Sequence, residues 1–304
     1  MTGRLIRHPR YAPGSPDWHA QRALAVGGSE IAAVLGVSPW ESRFSLWHKK
    51  KGLVDPNLTD TEQLYWGRMH EPTIAARFAA DHPEWKVKRT GTFTPSGRPF
   101  QIVSPDRDVQ IERGTHRPVE IKTSRDDVGW GTPGTDEVPI YYRVQGIWQA
   151  DALGADRCYF GVLFAGSEYQ EYVVPYDRSE ATILLDAAAE FVQTLKRDER
   201  PDIDEHGATY QVVRELHPEI DGTDYQVGAD LARRFCLAKE AAKAADAESQ
   251  YATSLIADAM GNARRAMFGD VRLGTRQSKS GGLPYLQSAK ADSLPAFPTT
   301  NRAA

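Results

Sequence analysis

Cysteine is scarce in this sequence and long apolar runs are missing, and each shortage excludes a class of protein. Cys158 and Cys236 are the only cysteines among 304 residues, too few for a disulfide framework, a four-cysteine zinc site or an iron–sulfur cluster held by cysteines alone. Stability has to come from a packed core. The longest apolar stretches, Ile31 to Val37 and Cys158 to Gly166, fall far short of the roughly 18 residues of a membrane helix, so no membrane partner is expected. Arg4, Arg7 and Arg10 are not followed by an apolar segment, which excludes the pattern of a secretory leader and leaves a cytoplasmic protein as the expectation. Internal repeats are lacking as well.

What the chain does contain, 40% hydrophobic and 26% charged residues, suits a globular protein with one large domain plus an appendage, or two modest domains. The net charge of -4 argues against a basic coat, but it is unevenly spread. Residues 1–51 hold eight Lys/Arg against three Asp/Glu, residues 180–227 hold four against twelve, and residues 228–304 hold eleven against seven. The two basic segments are open to a polyanion or are simply solvated helix faces, and charge alone does not choose.

Helical spacing covers Trp18 to Leu24, Ser29 to Leu35, Ser42 to Lys51 and Thr61 to Ala80, with Gly36 and Gly52 as stops. Short β-type runs follow at Lys86 to Thr94, Phe100 to Val103, Val109 to Glu112 and Val119 to Thr123. Pro139 opens a helix that Gly154 ends, two strands follow at Arg157 to Ala165 and Tyr169 to Val174, and a helix from Ser179 to about Arg197 closes the unit. The expected domain is therefore 1–200, with an extension over 201–287 and a mobile tail over 288–304. In the extension, Leu231, Phe235, Ala238, Ala242, Ala245, Ser249, Ala252 and Ile256 recur at alternating four and three, a heptad-like seam of mostly small residues. It predicts either a closely approaching helix, within the chain or in another subunit, or a plain surface helix. A hairpin-like stretch over Phe268 to Arg276 follows.

Chemistry concentrates in a few places. In Val119-Glu120-Ile121-Lys122 the strand period sends Glu120 and Lys122 to one face, side by side. Alone, such a triplet is most simply an exposed ion pair. Ser104-Pro105-Asp106 lies upstream, and a turn through Gly114 and Pro118 would let Asp106 face Glu120, although an Asp after Pro is also an ordinary turn residue. Two converging carboxylates repel unless a cation lies between them, and hard oxygen ligands suit Mg²⁺ or Mn²⁺. With Lys122 holding water or phosphate, this is the equipment of phosphodiester hydrolysis. Leu64, Gly67, Glu71, Ala75 and Phe78 share one helical face, which places Glu71 in an apolar stripe where it must be neutralised, paired or bound to metal. Pro72 is expected to kink or restart the helix beside it. Tyr142, Gln145, Gln149 and Ala152 share a face of the later helix, from which the neutral amide of Gln145 can orient a water.

The order Asp17-Trp18, Arg22, Gly28-Ser29-Glu30-Ile31, Gly67-Arg68-Met69-His70-Glu71, Ser104-Pro105-Asp106, Glu120-Ile121-Lys122 and Tyr142-Arg143-Val144-Gln145 resembles the YqaJ-type viral recombinase nucleases, a family of the PD-(D/E)xK superfamily that includes phage lambda exonuclease. The resemblance runs from about Ser15 to Lys196. It implies an α/β fold, a restriction-endonuclease-like core with a mixed central β-sheet flanked by helices, to which the helical C-terminal extension is added. It implies metal-dependent cleavage of DNA, with Glu71, Asp106, Glu120 and the Ile121 carbonyl holding Mg²⁺, Mn²⁺ able to substitute, and Lys122 and Gln145 positioning the attacking water. Arg22, Ser29 and Ser104 fall where family members grip a terminal 5′-phosphate. For Arg22 and Ser29 an exposed cation and a helix N-cap are the plain alternatives. The expected activity is a 5′ to 3′ exonuclease of linear duplex DNA acting in recombination, in a trimeric ring, with a single-strand annealing partner, in a bacterial host cell if phage-encoded. The alternatives are a structure-specific or modification-directed endonuclease, or a noncatalytic DNA-binding module on a nuclease fold. No acidic residue lies between Thr90 and Pro105, where lambda-like exonucleases carry a further aspartate, which leaves one metal or two open.

Overall fold

The computed structural model describes residues 4–9, 11–56, 61–112 and 115–297. Two units divide the chain, one ending at Glu219 and the other beginning at Ile220.

The first unit opens with β1 (Leu5–His8), α1 (Pro16–Arg22), α2 (Ile31–Val34), α3 (Arg43–Lys50) and α4 (Glu62–Asp81). Caps set the starts: Ser15 accepts from the Trp18 N–H and Thr61 from the Leu64 N–H, while Ser42 and Ser45 form a reciprocal box. Then come β2 (Lys86–Arg89), β3 (Thr92–Pro95), β4 (Arg107–Gln110), β5 (Arg117–Ser124), α5 (Ile140–Leu153), β6 (Arg157–Phe164), β7 (Glu168–Pro175), α6 (Arg178–Arg197) and α7 (Gly207–Leu216).

The central sheet has the order β2-β4-β5-β6-β7 and is mixed: β5 and β6 are parallel, and every other neighbour pair is antiparallel. A parallel pair needs a crossover, and α5 supplies it; Gly154 ends that helix in the left-handed region at φ 66. Helices cover both faces. On one, α2, α5 and α6 pack against β6 and β7 through Trp148, Ile147, Phe160, Tyr172 and Phe191. On the other, Ile74, Ala75 and Phe78 of α4 meet Val109, Val119, Ile121 and Tyr159. This is the mixed sheet flanked by helices that the motifs led one to expect.

Several local expectations change. Lys86 to Thr94 is not one strand: it breaks at Thr90-Gly91, β2 joining the central sheet and β3 pairing with β1. Phe100 to Val103 is not a strand either, because its backbone is satisfied by isolated bridges of Gln101 to Val26 and Val103 to Phe93. The strand beside β5 is instead β4, after Asp106, and the expected turn residue Gly114 lies outside the described residues. Pro72 does not restart the helix. The helix α4 runs on through it, since Ile74, Ala75 and Phe78 anchor the following turns in the core and offset the one lost backbone hydrogen bond. Leu64, placed in the apolar stripe by spacing, is 39% exposed, because α4 begins its buried face only at Ile74. Helix α7 extends the first unit beyond residue 200; Val212 packs on Phe44 and Val54, and the Thr209 and Ser42 hydroxyls lie 2.6 Å apart.

The second unit holds α8 (Ala229–Ala259) and a three-stranded antiparallel sheet of β8 (Arg265–Phe268), β9 (Val271–Gln277) and β10 (Tyr285–Ser288), in the order β10-β9-β8. The sequence predicted only a hairpin there. Residues 298–304 of the expected tail lie outside the described residues.

Candidate active site

The site begins with the register of β4 and β5. Arg107 pairs with Val119, so one further step along the antiparallel ladder brings Asp106 level with Glu120. Asp106 ends the loop into β4 by accepting the Ile121 backbone N–H at 2.8 Å. Because side chains alternate along β5, Val119 and Ile121 enter the core under α4 while Glu120 and Lys122 turn toward α5.

Glu120 is therefore no surface residue; it is 2% exposed. Its carboxylate is held by three donors: Lys122 Nζ at 2.9 Å and Gln145 Nε2 at 2.6 Å on one oxygen, and Gln149 Nε2 at 2.8 Å on the other. Gln145 and Gln149 stand one helical turn apart on α5, which is why both reach the same group. Burial pushes the Glu120 carboxyl up to about 7, with Asp106 adding repulsion and Lys122 opposing it. The Asp106 carboxyl is also raised, by burial first, against the pull of Lys122 and the Ile121 N–H, with Glu71 adding repulsion. Burial disfavours the Lys122 ammonium, yet Glu120 and Asp106 outweigh it and drive its pKa upward. The ammonium also sits 5.3 Å from the centroid of the Tyr142 ring.

Glu71 lies at the edge of this cluster. Its Oε1 accepts from Arg107 Nη1 at 2.6 Å, and the same nitrogen donates to the Asp106 carbonyl at 2.6 Å. Among the described residues no three of His, Cys, Asp and Glu are gathered as ligands of one ion. Asp106 and Glu120 nonetheless suit a hard cation: both carboxyl groups are raised by burial, with Glu71 adding repulsion at Asp106 and Asp106 adding it at Glu120, the strain a divalent ion relieves. Glu71 as it stands is committed to Arg107.

The phosphate-pocket residues divide. Arg22 is 8% exposed. It donates to Ser104 Oγ at 3.1 Å and to Gln21 Oε1 at 3.1 Å, and lies 4.3 Å over the Trp18 ring. Ser104 in turn lies 2.8 Å from the Thr92 hydroxyl. Ser29 is exposed and is not the cap of α2, a position Glu30 occupies without a side-chain cap bond. So the structure joins Arg22 to Ser104, two residues from Asp106, while among the described residues no hydrogen bond links Ser29 to either.

Several contributors escaped the sequence reading. Lys50 Nζ reaches both Glu30 oxygens at 2.9 Å and the carbonyls of Arg22 and Ala25 at 2.9 and 2.8 Å. Glu30 Oε2 accepts from Gly27 N at 2.7 Å. Together they tie the loop after α1. Gly28 abuts the site from that loop: a Cβ there would come within 2.9 Å of Gln149 Nε2, so a side chain at this position would displace the amide that holds Glu120. The shared face of Gln145 and Gln149 was a usable signal for Gln149. For Arg107 and Lys50 nothing in the sequence distinguished them from other cations.

Residues 17–155 match the YqaJ-like viral recombinase domain. This is the family that the sequence motifs resemble, and the match runs from within α1 to just past α5 and includes each residue of the cluster. An uncharacterized Bacillus subtilis protein, YqaJ, is 23% identical over 210 residues, 67% of this chain and 64% of that protein. A protein of African swine fever virus is 30% identical over 141 residues, 43% of this chain and 38% of its own length. The chain thus spans less than two thirds of either relative. The crystal structure of an alkaline exonuclease from Laribacter hongkongensis is similar at a TM-score of 0.49 and 17% identity, covering 67% of this chain and 99% of that one. No described helix is long and apolar enough to cross a membrane.

Proposed function

We propose that the protein is a divalent-metal-dependent deoxyribonuclease, a 5′ to 3′ exonuclease of linear duplex DNA that acts in recombination. The observation that carries this reading is the convergence of Asp106, Glu120, Lys122 and Gln145, from a loop, a strand and a helix, on one buried carboxylate cluster. Membership of the motifs in a YqaJ-like viral recombinase domain supports it.

In this reading Asp106, Glu120 and the Ile121 carbonyl hold Mg²⁺, or Mn²⁺ in its place, with Glu71 as the third carboxylate in exchange for Arg107. When bound, the ion supplies a lowered pKa to a water and neutralises charge gathering on the phosphoryl oxygens. Lys122, kept protonated by its two acidic neighbours, is a point charge for the scissile phosphate or a donor to the attacking water. Gln145 holds Glu120 in place and offers an amide that orients the water without changing the charge of the site. Arg22 presents a planar fork to a terminal 5′-phosphate, and Ser104, on the same short loop as Asp106, adds a hydroxyl; Ser29 remains a proposed third contact. A ring of three copies would let a mildly acidic protein enclose DNA with a local basic lining, and the strand left behind would pass to a single-strand annealing protein.

The decisive assay compares linear duplexes bearing 5′-phosphate or 5′-hydroxyl ends with a covalently closed circle, in Mg²⁺. Digestion confined to linear DNA and faster from the phosphorylated end is expected; cutting of the circle would replace the exonuclease with an endonuclease. Lys122→Ala or Asp106→Ala should lower the rate by at least about a thousandfold with the circular dichroism spectrum unchanged. Full activity in either variant would remove the site.

A further inference from the structure

The helix α8 is 31 residues long and buries none of them, so, apart from its contact with β10, it is about 46 Å of helix left uncovered by the rest of its own unit. Its apolar seam is exposed along its length: Leu231 is 61% and Phe235 62% exposed, and of the eight seam positions only Ile256 is partly covered. A helix of this length standing alone in water gains its stability from a face that something else covers.

We propose that α8 pairs antiparallel with α8 of a second copy of this chain. Three features of the helix select this occupant. The seam runs 231, 235, 238, 242, 245, 249, 252, 256 and reads identically from either end about the midpoint between Lys243 and Ala244. An inverted copy therefore sets Leu231 against Ile256, Phe235 against Ala252, Ala238 against Ser249 and Ala242 against Ala245. The bulky Phe235 meets a small residue in both copies, so the two axes stay close between the terminal Leu231 and Ile256 pairs. A parallel copy would oppose Phe235 to Phe235 and hold apart the alanines that follow.

Charge follows the same sense. From Ala229 to Lys243 the helix carries four basic and two acidic residues, and from Ala244 to Ala259 three acidic residues and no basic one. Antiparallel pairing lays the basic half on the acidic half and brings Lys239 beside Asp246 of the second copy, twice by symmetry. Parallel pairing would instead bring Arg234 beside Lys239 of the second copy. Within one helix Lys239 and Asp246 are seven residues apart, about 10 Å, too far to form an ion pair, so their coupling reports only on a second helix. This inference rests on the second unit alone and stands or falls independently of nuclease activity.

Sedimentation equilibrium of the full chain tests it. Phe235→Glu should halve the mass of the assembly, from two copies to one or from two three-copy rings to one ring. Lys239→Glu should weaken association at least about tenfold, and the double variant Lys239→Glu, Asp246→Lys should restore it. Mass unchanged by Phe235→Glu, as when α8 packs on its own chain, would overturn the proposal, and so would a charge reversal that the second substitution does not rescue. The antiparallel sense places the two Cys236 residues about 22 Å apart along the axis; a dimer joined through Cys236 under mild oxidation would overturn that sense.

Discussion

Gln149 shows what a single side chain contributes to this site. It holds the Glu120 oxygen that Lys122 and Gln145 do not, at 2.8 Å, and a Cβ on Gly28 would crowd its amide. It acts through Glu120 and is a positioning residue. Gln149→Leu keeps the bulk and removes the donor, so the turnover rate should fall about tenfold to a hundredfold while KM for the duplex changes little. A fall in DNA affinity with an unchanged turnover rate, measured by steady-state kinetics, would assign Gln149 to substrate binding instead. Glu120 carries a pH signature. Its pKa rises from 4.5 to about 7 on burial, so between those values the unfolded chain has released this proton and the native chain keeps it. The stability due to this group is therefore lost as the pH climbs through that window. Melts in the presence of a chelator should show the decline, and Glu120→Gln should flatten it; an identical slope in that variant would place the effect elsewhere. Of these residues, the pairing of Glu120 with Lys122 was legible from the strand period alone. Its burial was not, because burial comes from α5, twenty residues downstream. The link of Glu71 to Arg107 was hidden for the same reason: 36 positions separate the partners.

At the scale of elements, α4 shows how a helix that continues through a proline carries the proposed metal-binding carboxylate of Glu71. Phe78, fully buried two turns beyond Glu71, packs against Tyr159 and Trp85. Phe78→Ala should cost about 3–5 kcal/mol of unfolding free energy, read by urea titration, and should lower activity along with stability because Glu71 loses its anchor. Stability near that of the parent would mean that α4 is held by Ile74 and Ala75 instead. Long periodic elements such as α4, α5, α6, β6 and β7 were read from the sequence to within a residue or two, since each buries one face over many turns or rungs. Short ones failed where local pattern competes with tertiary pairing. Phe100 to Val103 has the composition of a strand, but it lies between Val26 and Phe93 and makes one bridge to each. Helix α7 lies in the acidic stretch, where charge masks an apolar face that only Val212 buries fully among its hydrophobic residues.

For the whole molecule, the connection between the two units is the feature with direct consequences. Residues 217–228 contain no helix or strand and are exposed throughout, the condition for protease access. Limited proteolysis with a protease of broad specificity should cut there first and release a fragment ending near Glu219. Early cuts inside α8 would show instead that this helix opens more readily than the linker. The boundary near residue 200 expected from the sequence was drawn where α6 ends. It passed over α7, whose Thr209 meets the Ser42 cap of α3 across 167 residues of sequence.

The one-step relation between Asp106 and the rung of Arg107 with Val119 imposes a parity rule on any change of length. Residues added or removed between Gln110 and Arg117 alter only the reach of a hairpin, and the ladder on either side keeps its phase. A single residue inserted into β5 between Val119 and Glu120 turns every later side chain over, presenting Ile121 to the glutamines and driving the acid into the hydrocarbon beneath α4. Length variation among relatives should therefore collect at the tip of this hairpin and be barred from its stem.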